Sequence, residues 1–364
     1  MPKKENYVWM TAENPLQQLW TMIKTLRSSC VCEKVINRKL DNTYSPDVVR
    51  TKAQGVSFLI QNACDYFEVA SKNNLTQRLL NLYYGTLAFI EAEILINSET
   101  YHSLDDIEKI TRQGHGLYTI NTDISDVGEI RIGVLGENKG LFPAWLHSRN
   151  VDISSLPSKK SKDIEDDNLF TLSKLLYNIP ELEQLLTSVD GDFVAGFFTP
   201  VYIMDPAINP MGKKEGSYVA LFDYSETTTI EMAKTLNGDF EQLELYENRD
   251  KIKAYKVYIK HSEDEYWWNK LNIHRSAFCK EALIQPLLLS IDSWEVYATM
   301  ILYCFSILVR YNPSVWRRVE HGDWDKYFAV CEQFAVVVER VLPNIFYQKI
   351  TGDTLKIKMP GAFA

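Results

Sequence analysis

Two short stretches of the sequence gather side chains with chemical potential. The first is Arg112-Gln113-Gly114-His115-Gly116. A guanidinium forks onto oxyanions and an imidazole titrates near neutrality, so Arg112 and His115 together could bind phosphate or act as an acid/base pair. The plainer reading is a helix C-cap, with glycine making the turn and the cations facing the negative end of the helix dipole.

The second stretch is Arg310-Tyr311-Asn312-Pro313-Ser314-Val315-Trp316-Arg317-Arg318-Val319-Glu320-His321. Here Arg310, Arg317 and Arg318 stand with Tyr311 and Trp316 in an otherwise acidic chain. Aromatic stacking with guanidinium–phosphate pairing suits a nucleotide or a local nucleic-acid contact. The alternative is a structured interhelical turn in which Trp316 packs and the arginines pair with nearby acids. Tyr266-Trp267-Trp268 and His274-Arg275 could extend such a surface or form a packed aromatic corner.

Other templates fail. The six histidines (His102, His115, His147, His261, His274, His321) form neither HxxxH nor HExxH, and Cys30-Val31-Cys32 has no second ligand pair, so no metal is expected. Gly133-Val134-Leu135-Gly136-Glu137-Asn138-Lys139-Gly140 lacks the spacing and the Lys-Ser/Thr of a phosphate loop and reads as a turn, as do Gly191, Gly196 and the 205–212 stretch. There is no dinucleotide fingerprint and no GxSxG elbow, and no cofactor is expected.

The elements that must position these residues are mostly helical. Leu16, Leu19, Trp20, Ile23 and Leu26 follow helical spacing after Asn14-Pro15, a second pattern runs from Pro46 to Phe67, and a third from Thr76 to Ile94. Ser103 and Asp106 resemble a capping box with Asp in place of Glu, opening a short helix that stops at Gly114. Between residues 117 and 260 the pattern turns β-prone, with runs at 118–121, 129–135, 192–204, 218–224 and 252–259, interrupted by helical runs at 169–177, 181–187 and 230–236. Residues 156–167 read as an exposed loop. Helix returns after Asp292-Ser293 and ends at Tyr311-Asn312-Pro313; a further helix from about Asp323 is expected to close at Pro343.

The fold class expected is therefore α+β, mainly helical. Residues 1–116 and 265–364 are helical parts packed together as one body, around a β-containing middle segment at 117–264.

Composition sets outer limits. With 39 Lys+Arg against 48 Asp+Glu, the net charge of −9 argues against a chain-wide grip on nucleic acid or anionic lipid while leaving room for a local basic patch. The N-terminus carries no signal-like apolar run, and the apolar stretch 298–309 is short of the ~20 residues of a membrane helix, so a cytoplasmic chain with reduced thiols and no membrane partner is expected.

The chain also resembles the YaaC-like family of bacterial intracellular proteins. The matching residues are Leu80-Asn81-Leu82-Tyr83-Tyr84-Gly85-Thr86-Leu87 with Glu91 and Ala92, the His115-Gly116 pair, and Phe305 through Trp316, in that order. The resemblance brings no activity or catalytic residue with it. With no complete catalytic motif and a concentrated Arg/aromatic stretch, the chain is expected to be an interaction or ligand-sensing component whose partner is another protein or a second copy, and the resemblance implies a place in a multi-protein system, antiviral defence included. The helical ends are also similar to HEPN-type RNases, which place Arg, four to six residues, then His. Here two residues separate Arg112 from His115 and three separate Arg317 from His321, so a metal-independent RNase reading, using either pair, needs a divergent spacing that still puts Arg and His on one face, as Arg317 and His321 would be at i,i+4 on a helix. A nucleotide-binding regulator is the third reading.

Overall fold

A computed structural model describes residues 6–40, 43–137, 139–164, 166–189, 198–222, 226–236, 240–247, 250–263, 265, 267–275 and 281–357. Asn138, Gly191, Gly196, Tyr224, Tyr266, Cys279 and the first part of the 192–204 run lie outside them.

Strand β1 (Asn6–Met10) precedes helices α1 (Pro15–Thr25), α2 (Ser29–Lys39), α3 (Pro46–Ala70), α4 (Leu75–Asn97) and α5 (Leu104–Thr111). Their starts follow from local chemistry. Asn14 and Asn74 accept from the backbone of Gln17 and Gln77, each at 3.1 Å, satisfying N–H groups that a helix leaves open. The capping box of α5 forms: Ser103 Oγ accepts from Asp106 N while the Asp106 carboxylate accepts from Ser103 N. The backbone bond from His102 leads the effects that hold this carboxyl down at about 2.

Next come β2 (Leu117–Ile120), β3 (Arg131–Val134), α6 (Leu141–Ser148), β4 (Leu169–Thr171), α7 (Leu172–Tyr177) and α8 (Glu183–Val189). They are followed by β5 (Phe198–Ile208), β6 (Lys214–Phe222), α9 (Glu226–Leu236), β7 (Phe240–Glu247), β8 (Asp250–Lys260), β9 (Ile273–Arg275) and β10 (Glu281–Ile284). The chain ends with α10 (Trp294–Tyr311), α11 (Pro313–His321), α12 (Lys326–Thr351) and β11 (Asp353–Ile357). The result is mainly helical α+β, with the helices of the two ends packed together.

The main core joins both ends. Ile23 of α1, Val56 and Ile60 of α3, Phe89 of α4, Ile301 and Phe305 of α10, and Phe334 and Phe346 of α12 are all buried in one cluster. By length and composition α4 could cross a membrane, but most of it is buried inside the protein. A parallel β1–β11 pair, Asn6 opposite Asp353, ties the termini of the described chain together. Short strands β2-β3-β4, α6 and α7 also pack into this core.

The second core is smaller. The antiparallel sheet β7-β8-β6-β5-β10-β9 buries Val201, Val219, Leu221, Val257 and Ile259 against Met232 and Ala233 of α9. Strand β10 is the seam, since Leu283 faces this cluster while Ala282 and Ile284 face the helical core, as strand alternation requires.

Three helical expectations change. The run at 169–177 opens as strand β4 and turns helical only at Leu172. Pro343 lies inside α12 and does not close it; a proline costs a helix about 3 kcal/mol, and burial of Leu342, Phe346 and Ile350 around it offsets that cost. The stretch after Asn312 is not a turn but α11, with Pro313 in its first turn, where the missing N–H is not needed.

Candidate functional site

The end of α10 meets α4 and the His115 turn. Arg310, on the last turn of α10, donates from Nε to Ser306 O at 3.0 Å, from Nη2 to Ser306 Oγ at 3.2 Å, and from Nη1 to Tyr84 Oη at 2.8 Å. The guanidinium centre lies 5.0 Å from the Tyr311 ring centroid, 5.6 Å from that of Tyr84 and 6.0 Å from that of Tyr83. Three tyrosines thus surround a half-buried cation, and among the described residues no carboxylate pairs with it.

Tyr83 completes the wall. Its side chain is fully buried, and Oη has no hydrogen-bond partner among the described residues. Burial pushes this phenol well above its usual range, with Tyr303 adding to the rise and Arg310 opposing it, so the hydroxyl stays protonated and able to donate. Tyr303 Oη is occupied, donating to Leu117 O at 2.8 Å.

His115 stands against the same rings, 5.6 Å from Tyr83 and 5.9 Å from Tyr303. Burial, with repulsion from Arg310 second, holds it below the usual histidine range, so it is neutral at pH 7. Its position is set by backbone. Gly114 and Gly116 have φ of +103° and +77°, and the turn docks on the start of α6 through Leu141 N to Gly114 O (3.1 Å) and Phe142 N to His115 O (3.0 Å). A Cβ on Gly116 would lie 2.2 Å from Pro143 Cδ, so only glycine allows this approach. A cavity of about 10 Å³, room for one water, lies beside His115 and Tyr83.

Gly85 does similar service on α4. A Cβ there would meet Phe67 at 2.6 Å, so its absence lets α3 pack close and brings Tyr66 onto Tyr84 with ring centroids 5.7 Å apart. Tyr66 and Tyr311 are both exposed, Tyr311 by 68%. Asn121 Nδ2 donates to Asn312 Oδ1 at 3.1 Å and fixes the α10–α11 joint next to the site.

The two sequence clusters are therefore brought together in part. His115 and Arg310 share a site, with Tyr311 at its rim. Arg112 is not beside His115 but exposed and paired with Glu108 at 3.0 Å. Trp316 is buried and donates to Thr76 Oγ1 at 2.9 Å. Arg318 pairs with Asp323 and lies over the Trp324 ring at 3.4 Å, so its fork is taken. Arg317 and His321 are one turn apart on α11, both exposed. His274 and Trp294 share the buried Glu181 carboxylate, at 2.6 and 3.2 Å, an interior contact rather than a surface. Tyr83, Tyr84, Tyr303 and Ser306 were not singled out as site residues from sequence. Tyr83, Tyr84 and Ser306 were marked only by membership of the Tyr83-Tyr84-Gly85 and Phe305–Trp316 motifs, and Tyr303 only by its place in the apolar 298–309 stretch.

Among the described residues no three His, Cys, Asp or Glu side chains gather as a metal site. The arrangement can instead receive an anion: Arg310 retains N–H groups beyond its three bonds, Tyr83 offers a hydroxyl, and the exposed Tyr311 ring lies beside the guanidinium.

Fold and site together define a mainly helical α+β protein with an arginine–tyrosine cluster where α10 meets α4. A family model described as YaaC-like protein matches residues 24–350, and the chain belongs to that family. No curated protein and no solved structure matches it.

Proposed function

We propose that this chain is a cytoplasmic ligand-sensing component that binds a phosphorylated ligand of the nucleotide class at Arg310. The observation that carries the reading is the Arg310 guanidinium, held by Ser306 and Tyr84 and paired with no carboxylate among the described residues, beside the unpartnered Tyr83 hydroxyl. Polar groups of this kind cost free energy unless satisfied; an oxyanion would accept from Arg310 directly and from Tyr83 through a water in the cavity of about 10 Å³ beside it. Tyr311 and Tyr66 supply stacking faces at the rim. Because the Arg310 cluster is built from α4, α10 and the His115 turn, a ligand on it would bear on the joint between the two ends of the chain, as a sensor requires. Calorimetric titration with ribonucleoside mono-, di- and triphosphates tests this. Saturable binding that weakens at least tenfold in Arg310→Gln, with that variant folded, supports it; equal binding by both proteins contradicts it.

A second reading rests on α11. Its helical geometry puts Arg317 and His321 at i,i+4 on an exposed face, the arrangement an RNA-cleaving pair needs. RNA cleavage by the full chain that is lost in His321→Ala would favour this reading, and intact RNA with wild-type protein would end it.

A further inference from the structure

The β5–β6–β8 sheet has one face covered by α9 and another that no described helix covers. On the open face strand alternation places Tyr202 of β5, Tyr218, Ala220 and Phe222 of β6, and Lys256 and Tyr258 of β8. The register agrees, with Tyr218 opposite Tyr258, and Ala220 opposite both Tyr202 and Lys256. The rings form two pairs: Tyr202 with Phe222 at 4.8 Å between centroids, and Tyr218 with Tyr258 at 5.6 Å. Ala220, between Tyr202 and Lys256, and Ala254, opposite Phe222, are small and buried beneath these larger side chains. By the strand rise of ~3.4 Å per residue, Tyr218 and Phe222 stand about 14 Å apart along β6.

The rings are held in place. A Cβ on Gly216 would lie 2.4 Å from Tyr258 Cε2, so the glycine gives the Tyr258 ring its seat, and Tyr258 Oη donates to Glu215 O at 3.0 Å. Tyr202 is 58% exposed. Lys256 Nζ borders the rings at 4.6 Å from the Tyr218 centroid, its one carboxylate contact among the described residues being a 4.0 Å approach to Glu241, while the register sets Asp205 on the other side of Tyr218. Lys213, Lys214 and Lys260 collect at the end where Gly216 faces Lys260.

We propose that this face is a binding surface for single-stranded nucleic acid. Two aromatic pairs on a rigid sheet offer stacking platforms for unpaired bases, and the lysines beside them match the charge of a phosphate backbone. A duplex, whose bases are already stacked, gains nothing from the rings. The proposal uses none of the residues around Arg310 and does not depend on a ligand there.

Fluorescence anisotropy of a short labelled oligouridine with the full-length protein tests it, read at low and raised salt. The expected result is saturable binding that weakens with salt, is not displaced by duplex of the same length, and loses about tenfold in affinity in Tyr202→Ala and in Lys256→Glu. Tyr202 is exposed enough for its variant to keep the fold, which circular dichroism checks, and Arg310→Gln is expected to bind the oligonucleotide as wild type does. Absence of binding by wild type, or equal affinity in folded Tyr202→Ala and Lys256→Glu, overturns the proposal. So does concentration-dependent dimerisation that Tyr202→Ala abolishes, which would make a second copy the occupant.

Discussion

Arg310 of α10 reaches across to Tyr84 of α4 and donates to its hydroxyl at 2.8 Å. This bond joins a residue from the last sixth of the chain to one from the first quarter; Tyr83 stands next to Tyr84 on α4, and His115 comes from a third place in the sequence. Each is held by a separate local device: a helix end, a close helix–helix approach at Gly85, and a two-glycine turn.

Tyr83→Phe separates binding from stability. The hydroxyl it removes is buried and unpartnered, so the variant is expected to be more stable than wild type by about 1 kcal/mol, since an unsatisfied buried polar group costs about 1–3 kcal/mol. The same variant should bind nucleotide more weakly. Thermal melts without ligand, set beside a titration, measure both; a variant that melts lower and binds equally well would remove the hydroxyl from the site.

The glycines around His115 should respond unequally to alanine. At Gly114 nothing lies within 4 Å of an added Cβ, so only the positive φ is penalised, at roughly 1–2 kcal/mol. At Gly116 the same penalty is joined by a clash with Pro143, and Gly116→Ala should lose clearly more stability and weaken ligand binding as well. Urea denaturation of the two variants gives the comparison, and equal losses would show that the turn does not need the close approach to α6.

A buried ion network anchors the same body. Arg149 donates to Glu93 through Nε at 2.8 Å and Nη2 at 2.7 Å, and to Glu295 through Nη1 at 2.6 Å, while Trp145 Nε1 donates to Glu93 at 2.9 Å. Arg149→Met leaves two carboxylates buried without their cation and should cost about 3–5 kcal/mol. Adding Glu93→Gln and Glu295→Gln should recover part of that loss in chemical denaturation. A single variant within ~1 kcal/mol of wild type would mean the carboxylates find water.

Much of this architecture was legible in the sequence, because helical periodicity and caps are local. Asn14 and Ser103 announce their helices, and the expected joint packing of the two ends follows from apolar faces too wide for either end alone. The β1–β11 pair and the edges of the large sheet were not visible, since strand partners are chosen by tertiary packing. The site was half legible. His115, Arg310 and Tyr311 were marked by residue type, but pairing His115 with Arg112 assumed that neighbours in sequence meet in space. The turn instead aims the imidazole inward, while Arg112 stays on its own helix with Glu108. Tyr83 and Tyr84 read as ordinary core aromatics until α10 placed a cation on them.

Glu91 gives the molecule a pH signature. Burial pushes its carboxyl from 4.5 to about 7. A carboxyl whose folded value is raised holds its proton more tightly when folded, so stability falls as pH rises from about 4.5 to 7 and is level above that. Glu91→Gln should therefore gain on the order of 1–3 kcal/mol at pH 8 and change little at pH 4, as followed by urea denaturation at each pH. A gain that is the same at both values would show that the carboxyl is solvated.

Native mass spectrometry of wild type and Arg310→Gln, each incubated with the same mixture of ribonucleoside mono-, di- and triphosphates, tests the anion site most directly. The expected result is a phosphorylated adduct on wild type that is lost in Arg310→Gln and reduced in Tyr83→Phe, with all three proteins folded. A bare wild-type protein, or an adduct of equal intensity on all three, would contradict the assignment of Arg310 as the ligand's anchor.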